Sequence, residues 1–310
     1  MKKAVFGMSF NWIFALIAGG FILFIAIYGA SKFIQTSETT LYTETASKIT
    51  SLLDPLETGL ASGKATEILF RKESRFEFTC SEKLFPPFGK QTVSFSEQSF
   101  GKEFGSQSDR VDIKDKYIFT DNKLIGKNLI IFSKPFFLTF KVADLTIIFS
   151  DEYCFYNSPE EIYEDLEGLN IEKIIFMNSS GKNQACNGVE VCFDTKESCD
   201  IKVSYSQNYL IKEGKKLYYT DNLIYAAIFS SPEIYECNLK RLKNKFNELV
   251  KIYLTKIEIV ERKGCTSNIG DKLASMNSTL DSSKEIILLS KQAEEIDLIN
   301  KGAKSGCKLY

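Results

Sequence analysis

Cys80, Cys154, Cys186, Cys192, Cys199, Cys237, Cys265 and Cys307 are the residues of this 310-residue chain whose type and number promise covalent chemistry. Their count is even, and all eight follow a long apolar stretch near the N-terminus. Outside the cytoplasm such a set reads as a disulfide framework. A metal reading is disfavoured: no C-x-x-C pair occurs, and Cys186, Cys192 and Cys199 are spaced too widely for a zinc knuckle.

The rest of the catalytic alphabet is thin. Histidine is absent, which removes Ser-His-Asp and Cys-His activation and every His-containing zinc site. A general acid or base would have to be a perturbed Asp, Glu, Lys, Tyr or Cys. No phosphate-loop, dinucleotide or nucleophile-elbow motif is present, so no catalytic residue is named and no cofactor is implied. Formal net charge is −1, which gives no reason to expect nucleic acid as a partner.

Three further clusters have an ordinary reading. The acidic run "SPEEIYEDLE" lacks the alternating ligands and central Gly of a calcium loop and reads as a solvated helix face. Tyrosines in "KKLYYTD", "NLIY" and "EIYECN" read as half-buried packing rather than a ligand groove. Lys240, Arg241, Lys243 and Lys245 read as a solvated helix side. Asn178 and Asn277 each begin an N-x-S/T sequence and are glycosylation candidates.

These residues depend on the elements that carry them. From Phe10 to Ala30 nearly every residue is apolar. About 20 such residues suffice to cross a hydrocarbon core, whereas a secretory signal core runs to only about 15. Tyr28-Gly29-Ala30 would also place a bulky Tyr at the −3 position of a cleavage site, so the span reads as a retained anchor. Lys2 and Lys3 favour a cytoplasmic N-terminus with the remaining chain outside. Trp12 and Tyr28 suit the two interfaces. The small pairs Ala15 and Gly19, and Ala26 and Ala30, would admit a second helix closely, so a lateral oligomer through Ala15 and Gly19 is an option.

Beyond the span, apolar residues at Ile34, Leu41, Ile49, Leu52, Leu56 and Leu60 predict that the helix continues outward as a stalk to about Leu53, with a break or restart at Asp54-Pro55. From about Ile68 the period shifts towards two. "RFEFTC" and "TVSFS" alternate as half-buried strands, and "NLIIFS" and "DLTIIFS" read as fully buried ones. "YCFYNSPEEIYEDLEGLNIEKIIFMN" predicts strand, helix and strand in a βαβ unit, with Ser158 as N-cap. "LIYAAIFSS" reads as a buried helix. Ser231-Pro232-Glu233 opens a long helix that ends at Gly264, and a second helix runs from about Gly270 to Lys301.

Eight cysteines allow on the order of a hundred pairings, but two pairs follow from these elements. "VEVCFDTKESCDIKV" predicts a hairpin turning near Thr195 and Lys196, placing Cys192 opposite Cys199. If the two C-terminal helices form an antiparallel hairpin, Cys237 and Cys265 lie roughly 40 Å apart at opposite ends of the first. Cys307 then returns to the level of Cys237, which predicts Cys237–Cys307. The partners of Cys80, Cys154, Cys186 and Cys265 stay open.

The expected fold is α+β. Residues 1–9 form a cytoplasmic N-terminus, 10–31 a transmembrane helix and 32–67 a stalk. Residues 68–231 form an extracytoplasmic α/β domain, and 232–310 a helical hairpin with a tail packed on it.

The opening residues resemble archaeal type IV pilin-like proteins. Lys2, Lys3, Gly7, Met8 and Ser9, followed by the apolar run from Phe10, carry the resemblance, with Asn11 and Trp12 standing where that family commonly has an acid. It implies a short basic leader and a helix that packs into a filament or anchors the subunit. "AAIFSSPEIYECNLKRL" and the ending "GCKLY" resemble uncharacterised archaeal membrane-anchored surface proteins.

The leading reading is a single-pass, extracytoplasmic structural or interaction protein of the cell membrane, with the bilayer and an unknown surface protein or polymer as partners. A pilin-like filament subunit and an anchored enzyme without His-dependent chemistry are the alternatives.

Overall fold

The computed structural model describes residues 10–60, 65–83, 88–99, 103–177, 186–194, 198–265, 269–276, 282–303 and 308–310, with backbone only for 10, 11, 34, 35, 37, 38 and 49–60. The chain is a mixed α and β protein with an N-terminal apolar helix and two mixed sheets. Helix α1 (Phe10–Leu60) is continuous. The break expected at Asp54-Pro55 is absent, and the helix assignment passes through Pro55 to Leu60.

The first sheet contains β1 (Thr66–Ser81), β2 (Lys90–Glu97), β3 (Val111–Ile113), β4 (Tyr117–Phe119), β5 (Lys123–Phe137) and β6 (Lys141–Phe149). Their spatial order is β3-β2-β1-β5-β6-β4, antiparallel except where β4 joins β6. Both faces of this sheet are buried, which explains its unbroken apolar runs. Leu129 and Ile131 of β5 join Phe76, Phe95 and Ile148 on one face, together with Tyr42 and Ala46 of α1. Ile130 and Phe132 point the other way, with Ile147 and Phe149, into the larger core.

The second sheet contains β7 (Tyr153–Tyr156), β8 (Ile174–Met177), β9 (Val189–Phe193), β10 (Ile201–Ser204), β11 (Tyr209–Lys212) and β12 (Lys215–Tyr218). Its order is β12-β11-β10-β9-β7-β8. Strands β7 to β10 pair in parallel, and β10 to β12 antiparallel. Helix α2 (Glu160–Glu167) lies between the parallel strands β7 and β8 in the chain. Ser158 does not cap it: Pro159 occupies the N-cap, and the Ser158 hydroxyl donates to the Pro159 carbonyl instead. Cys192 and Cys199 are bonded, but not across a hairpin. The chain doubles back so that Ile201 aligns with Val191 and Lys202 with Cys192 on parallel strands.

Helix α3 (Leu223–Phe229) has all seven residues buried. Its Phe229 packs against Phe132, Phe149, Tyr153 and Phe155, joining the two sheets. Helix α4 (Pro232–Glu261) starts at Ser231, whose hydroxyl accepts from the Ile234 amide. The second C-terminal helix is two: α5 (Ile269–Ser275) and α6 (Glu285–Gly302). Ser, Asn, Thr and Asp crowd the interval between Ser275 and Lys284, and such side chains compete for backbone hydrogen bonds and break helices. The extra break adds a reversal. Gly270 lies beside Ile257, and Lys243 donates to the Met276 carbonyl, so α5 runs back along α4. The Ser283 amide then donates to Glu236 at 3.0 Å, and Lys256 donates to the Leu309 carbonyl. Helix α6 is therefore parallel to α4.

That reversal overturns the Cys237–Cys307 bridge, because the chain end returns beside the last third of α4 rather than its start. Cys237 is bonded to Cys80 at the end of β1, and Cys154 to Cys186. Cys265 is also oxidised, and Cys307 lies outside the described residues.

The basic stretch of α4 is corrected as well: Arg241 and Lys243 are buried rather than solvated. Arg241, 1% exposed, donates through Nε to the Phe88 carbonyl at 2.8 Å. Its Nη1 lies 2.8 Å from Gln91 Oε1, 3.1 Å from the Lys116 carbonyl and 2.7 Å from Asn238 Oδ1. Its guanidinium also sits 4.9 Å from the Tyr117 ring centroid. Gln91 Nε2 donates to the Ile118 carbonyl at 2.8 Å, and its Oε1 accepts from the Ile118 amide at 2.9 Å. Strands β2 and β4 stand in different parts of the sheet order, yet the Gln91 side chain joins them as a peptide group would. The sheet curls, and α4 covers the seam. Gly89, at φ +66°, allows this approach: a Cβ there would lie 2.4 Å from the Ser81 carbonyl and 2.8 Å from Arg241 Cγ.

Two outcomes follow. Non-reducing peptide mapping should recover Cys80–Cys237, Cys154–Cys186 and Cys192–Cys199 as separate linked peptides; a Cys237–Cys307 peptide would contradict the helix order. Arg241→Met should lower the unfolding free energy by about 3–5 kcal/mol, since it removes charge-assisted hydrogen bonds to four acceptors, three of them buried. Lys240→Met, which loses only a surface pair with Glu82, should cost less than about 1 kcal/mol. Chemical denaturation of the full chain compares them.

Candidate functional site

Two regions stand out: the exposed half of α1, and a cleft at the opposite side of the larger core. Trp12–Phe33 is a 22-residue stretch of mean hydropathy 2.4, long and apolar enough to cross a membrane, with none of it buried. A signal sequence meets the same criterion. Trp12, Ala15, Gly19, Tyr28 and Ala30 are exposed along it, and Phe10 opens the helix. Among the described residues, nothing beyond the helix's own neighbouring backbone lies within 4 Å of a Cβ placed on Gly19. Asn178, Asn277, Lys2, Lys3 and Gly7 lie outside the described residues.

The cleft has a volume of about 710 Å³. Helix α2 supplies Glu161, Glu164 and Asp165; the turn Tyr205–Gln207 and Asn208 supply the next wall. Tyr219 to Asn222 form the floor leading into α3, and α6 closes the far side with Ile287, Ser290, Lys291 and Glu294. Local rules explain the presentation. Glu161, Glu164 and Asp165 are spaced so that they share one face of α2. Asn208 and Asp221 hold left-handed backbone at φ 55° and 44°, which short polar side chains tolerate best. The Asn208 carbonyl accepts from the Tyr219 amide at 3.0 Å, and Thr220 and Ser290 hydroxyls meet at 2.9 Å, tying floor to α6.

Five carboxylates line the cleft against one lysine, Lys291. Two of them are engaged. Glu161 accepts from the Tyr205 hydroxyl at 2.7 Å. Asp165 accepts from the Tyr225 hydroxyl at 2.6 Å and pairs with Lys134 at 2.7 Å. Glu164, Asp221 and Glu294 have no side-chain partner among the described residues. Burial raises the Tyr205 phenol to about 12, with Glu161 adding to it. Burial followed by the Asp165 carboxylate raises Tyr225 further. The phenols therefore stay protonated and act as neutral hydrogen-bonding groups. Burial opposes ionisation of Asp165, but the bonds from Lys134 and Tyr225 outweigh it and hold its carboxyl below the usual range.

Tyr219 differs from its neighbours. It is 2% exposed, and its hydroxyl has no hydrogen-bond partner among the described residues. A buried polar group left unpaired costs about 1–3 kcal/mol.

The acidic run, read as a solvated face, is one wall of this cleft, and Tyr219 and Tyr225, read as packing, belong to it. Tyr235 is a packing residue, fully buried with its hydroxyl donating to the Tyr218 carbonyl. The i, i+3, i+4 acidic spacing was the available signal for α2. Nothing linear connects it to Asp221 or Glu294.

The only cluster of three metal-type donors close enough to share an ion, among the described residues, is Glu152, Cys154 and Cys186. The two sulfurs there are bonded to each other. The cleft carboxylates are too dispersed for one ion.

Because Asp165 is held low, its contribution to stability is present above the unfolded-chain value, near pH 4, and is lost as pH falls through the lower folded value. Tyr225→Phe should raise the Asp165 pKa, as read by carboxyl ¹³C titration; an unchanged value would mean that the hydroxyl does not hold it. No protein-family model matches the chain, nor does any curated protein or solved structure.

Proposed function

We propose that the chain is a single-pass membrane protein whose disulfide-braced domain stands on the extracytoplasmic side and serves in binding or structure rather than turnover. One observation carries this reading. The exposed apolar stretch Trp12–Phe33 and the buried Tyr42 and Ala46 belong to one unbroken helix. A helix of this kind couples the domain directly to the membrane. Oxidised cysteines on the domain suit an oxidising compartment, and Lys2 and Lys3 suit a cytoplasmic N-terminus. The bilayer is the first partner; a surface protein or polymer is the second.

The same helix favours a second reading as a pilin-like subunit. Its distal half acts as a stalk seated on the sheet, and its exposed half would be covered by copies of itself through Ala15 and Gly19.

Protease protection in oriented membrane vesicles separates these readings from a secreted domain. Added protease should digest the domain in right-side-out vesicles and spare it in inverted ones, with the intact chain resisting carbonate extraction. Release of the domain by carbonate, or an N-terminus beginning after Ala30, would contradict the anchor. Oxidative cross-linking of an Ala15→Cys variant into a disulfide-linked dimer would favour the laterally packed, pilin-like subunit; a single unlinked band favours the monomeric anchor.

A further inference from the structure

The cleft between α2, the Tyr205–Gln207 turn and α6 is built to receive something, and three observations narrow what. Its charge is strongly negative, with Glu164, Asp221 and Glu294 unpaired among the described residues. Those carboxylates come from three different elements and do not converge within the reach of a single metal ion, unlike Glu152, Cys154 and Cys186. A ligand that satisfies them together must carry its positive charge at separated points. The third observation is the hydroxyl of Tyr219, a residue that lines the cleft: it is buried and has no hydrogen-bond partner among the described residues. A phenol oxygen accepts a hydrogen bond from an ammonium group, and the tyrosine faces around it attract organic cations. Lys134 already lies 5.1 Å from the Tyr225 ring centroid, showing that this ring takes a cation against its face.

We propose that this cleft binds a small organic polycation, a molecule carrying two or more ammonium groups joined by an apolar spacer. The ammonium groups bond Glu164, Asp221 and Glu294, one of them reaches the Tyr219 hydroxyl, and the spacer lies along Ile224 and Ile287. Lys291 at the cleft is the one lining cation that opposes binding, and Lys134 neutralises Asp165 from behind. The inference goes beyond the anchored reading and does not depend on it, because membrane orientation and cleft occupancy are measured separately.

Calorimetric titration of the full chain in a neutral detergent tests this, with spermidine and calcium chloride as probes. Spermidine should bind one to one, more weakly as salt rises. The Glu164→Gln, Asp221→Asn double variant should weaken binding at least tenfold, since Asn retains the tolerance for left-handed backbone at position 221. Tyr219→Phe, which removes only an unpaired hydroxyl and so leaves folding intact, should weaken it about threefold to tenfold. A Glu258→Gln, Glu261→Gln control at the far end of α4 should bind as the parent does. Absence of spermidine binding, equal loss in the control, unchanged binding in the cleft variants, or saturable calcium binding that displaces spermidine would each overturn the proposal.

Discussion

The fold depends on a buried cation that, among the described residues, has no carboxylate hydrogen-bonded to it. Arg241 reaches from α4 into the seam of the first sheet and is held by three carbonyl or amide oxygens and the Gln91 side chain. A buried charge is tolerated only when its donors are satisfied. Each of those acceptors is therefore constrained in position, and through them β2, the Lys116 segment and α4 are constrained together. Gln91 then bridges β2 to β4 with both halves of its amide. The Cys80–Cys237 bond lies one helical turn from Arg241 and ties β1 to the same helix. Covalent and polar links thus converge on the first turns of α4.

With the seam held, the first sheet has two working faces. One face receives Tyr42 and Ala46, so the helix that leaves the apolar stretch is part of the domain's core rather than a tether. The other face packs on α3 and the second sheet, where aromatic rings from both sheets meet Phe229. Helix α6, parallel to α4, is placed so that Ser290 and Glu294 face α2 across the cleft. The cleft is consequently a product of the helix order. An antiparallel pair of C-terminal helices would have reversed the residues that α6 presents.

Much of the architecture was legible in the chain. Period-two alternation in "RFEFTC", the continuous runs "NLIIFS" and "DLTIIFS", and the Ser231-Pro232-Glu233 start of α4 are local signals with local causes; "TVSFS" is a strand as expected, but buried on both faces rather than half-buried. The helix reversals were not, because helix-like apolar spacing runs on through the Ser- and Asn-rich interval before Lys284. The turn near Thr195 looked like a hairpin because parallel neighbours ordinarily need a longer crossover. Arg241 and Lys243 looked solvated because charge suggests a surface, and only tertiary acceptors far away in sequence reveal otherwise. Of the cleft, only the acidic face of α2 was visible in advance. Its opposite wall comes from residues more than a hundred positions later.

The central claim is that α1 and the seam belong to one cooperative core. Hydrogen–deuterium exchange of the oxidised full chain in neutral detergent tests it most directly. The account predicts that amides of residues 41–48 in α1, of β2 and of the first turns of α4 exchange together and slowly, at the rate of global opening. Exchange of residues 41–48 within seconds, while β2 and α4 stay protected, would contradict it.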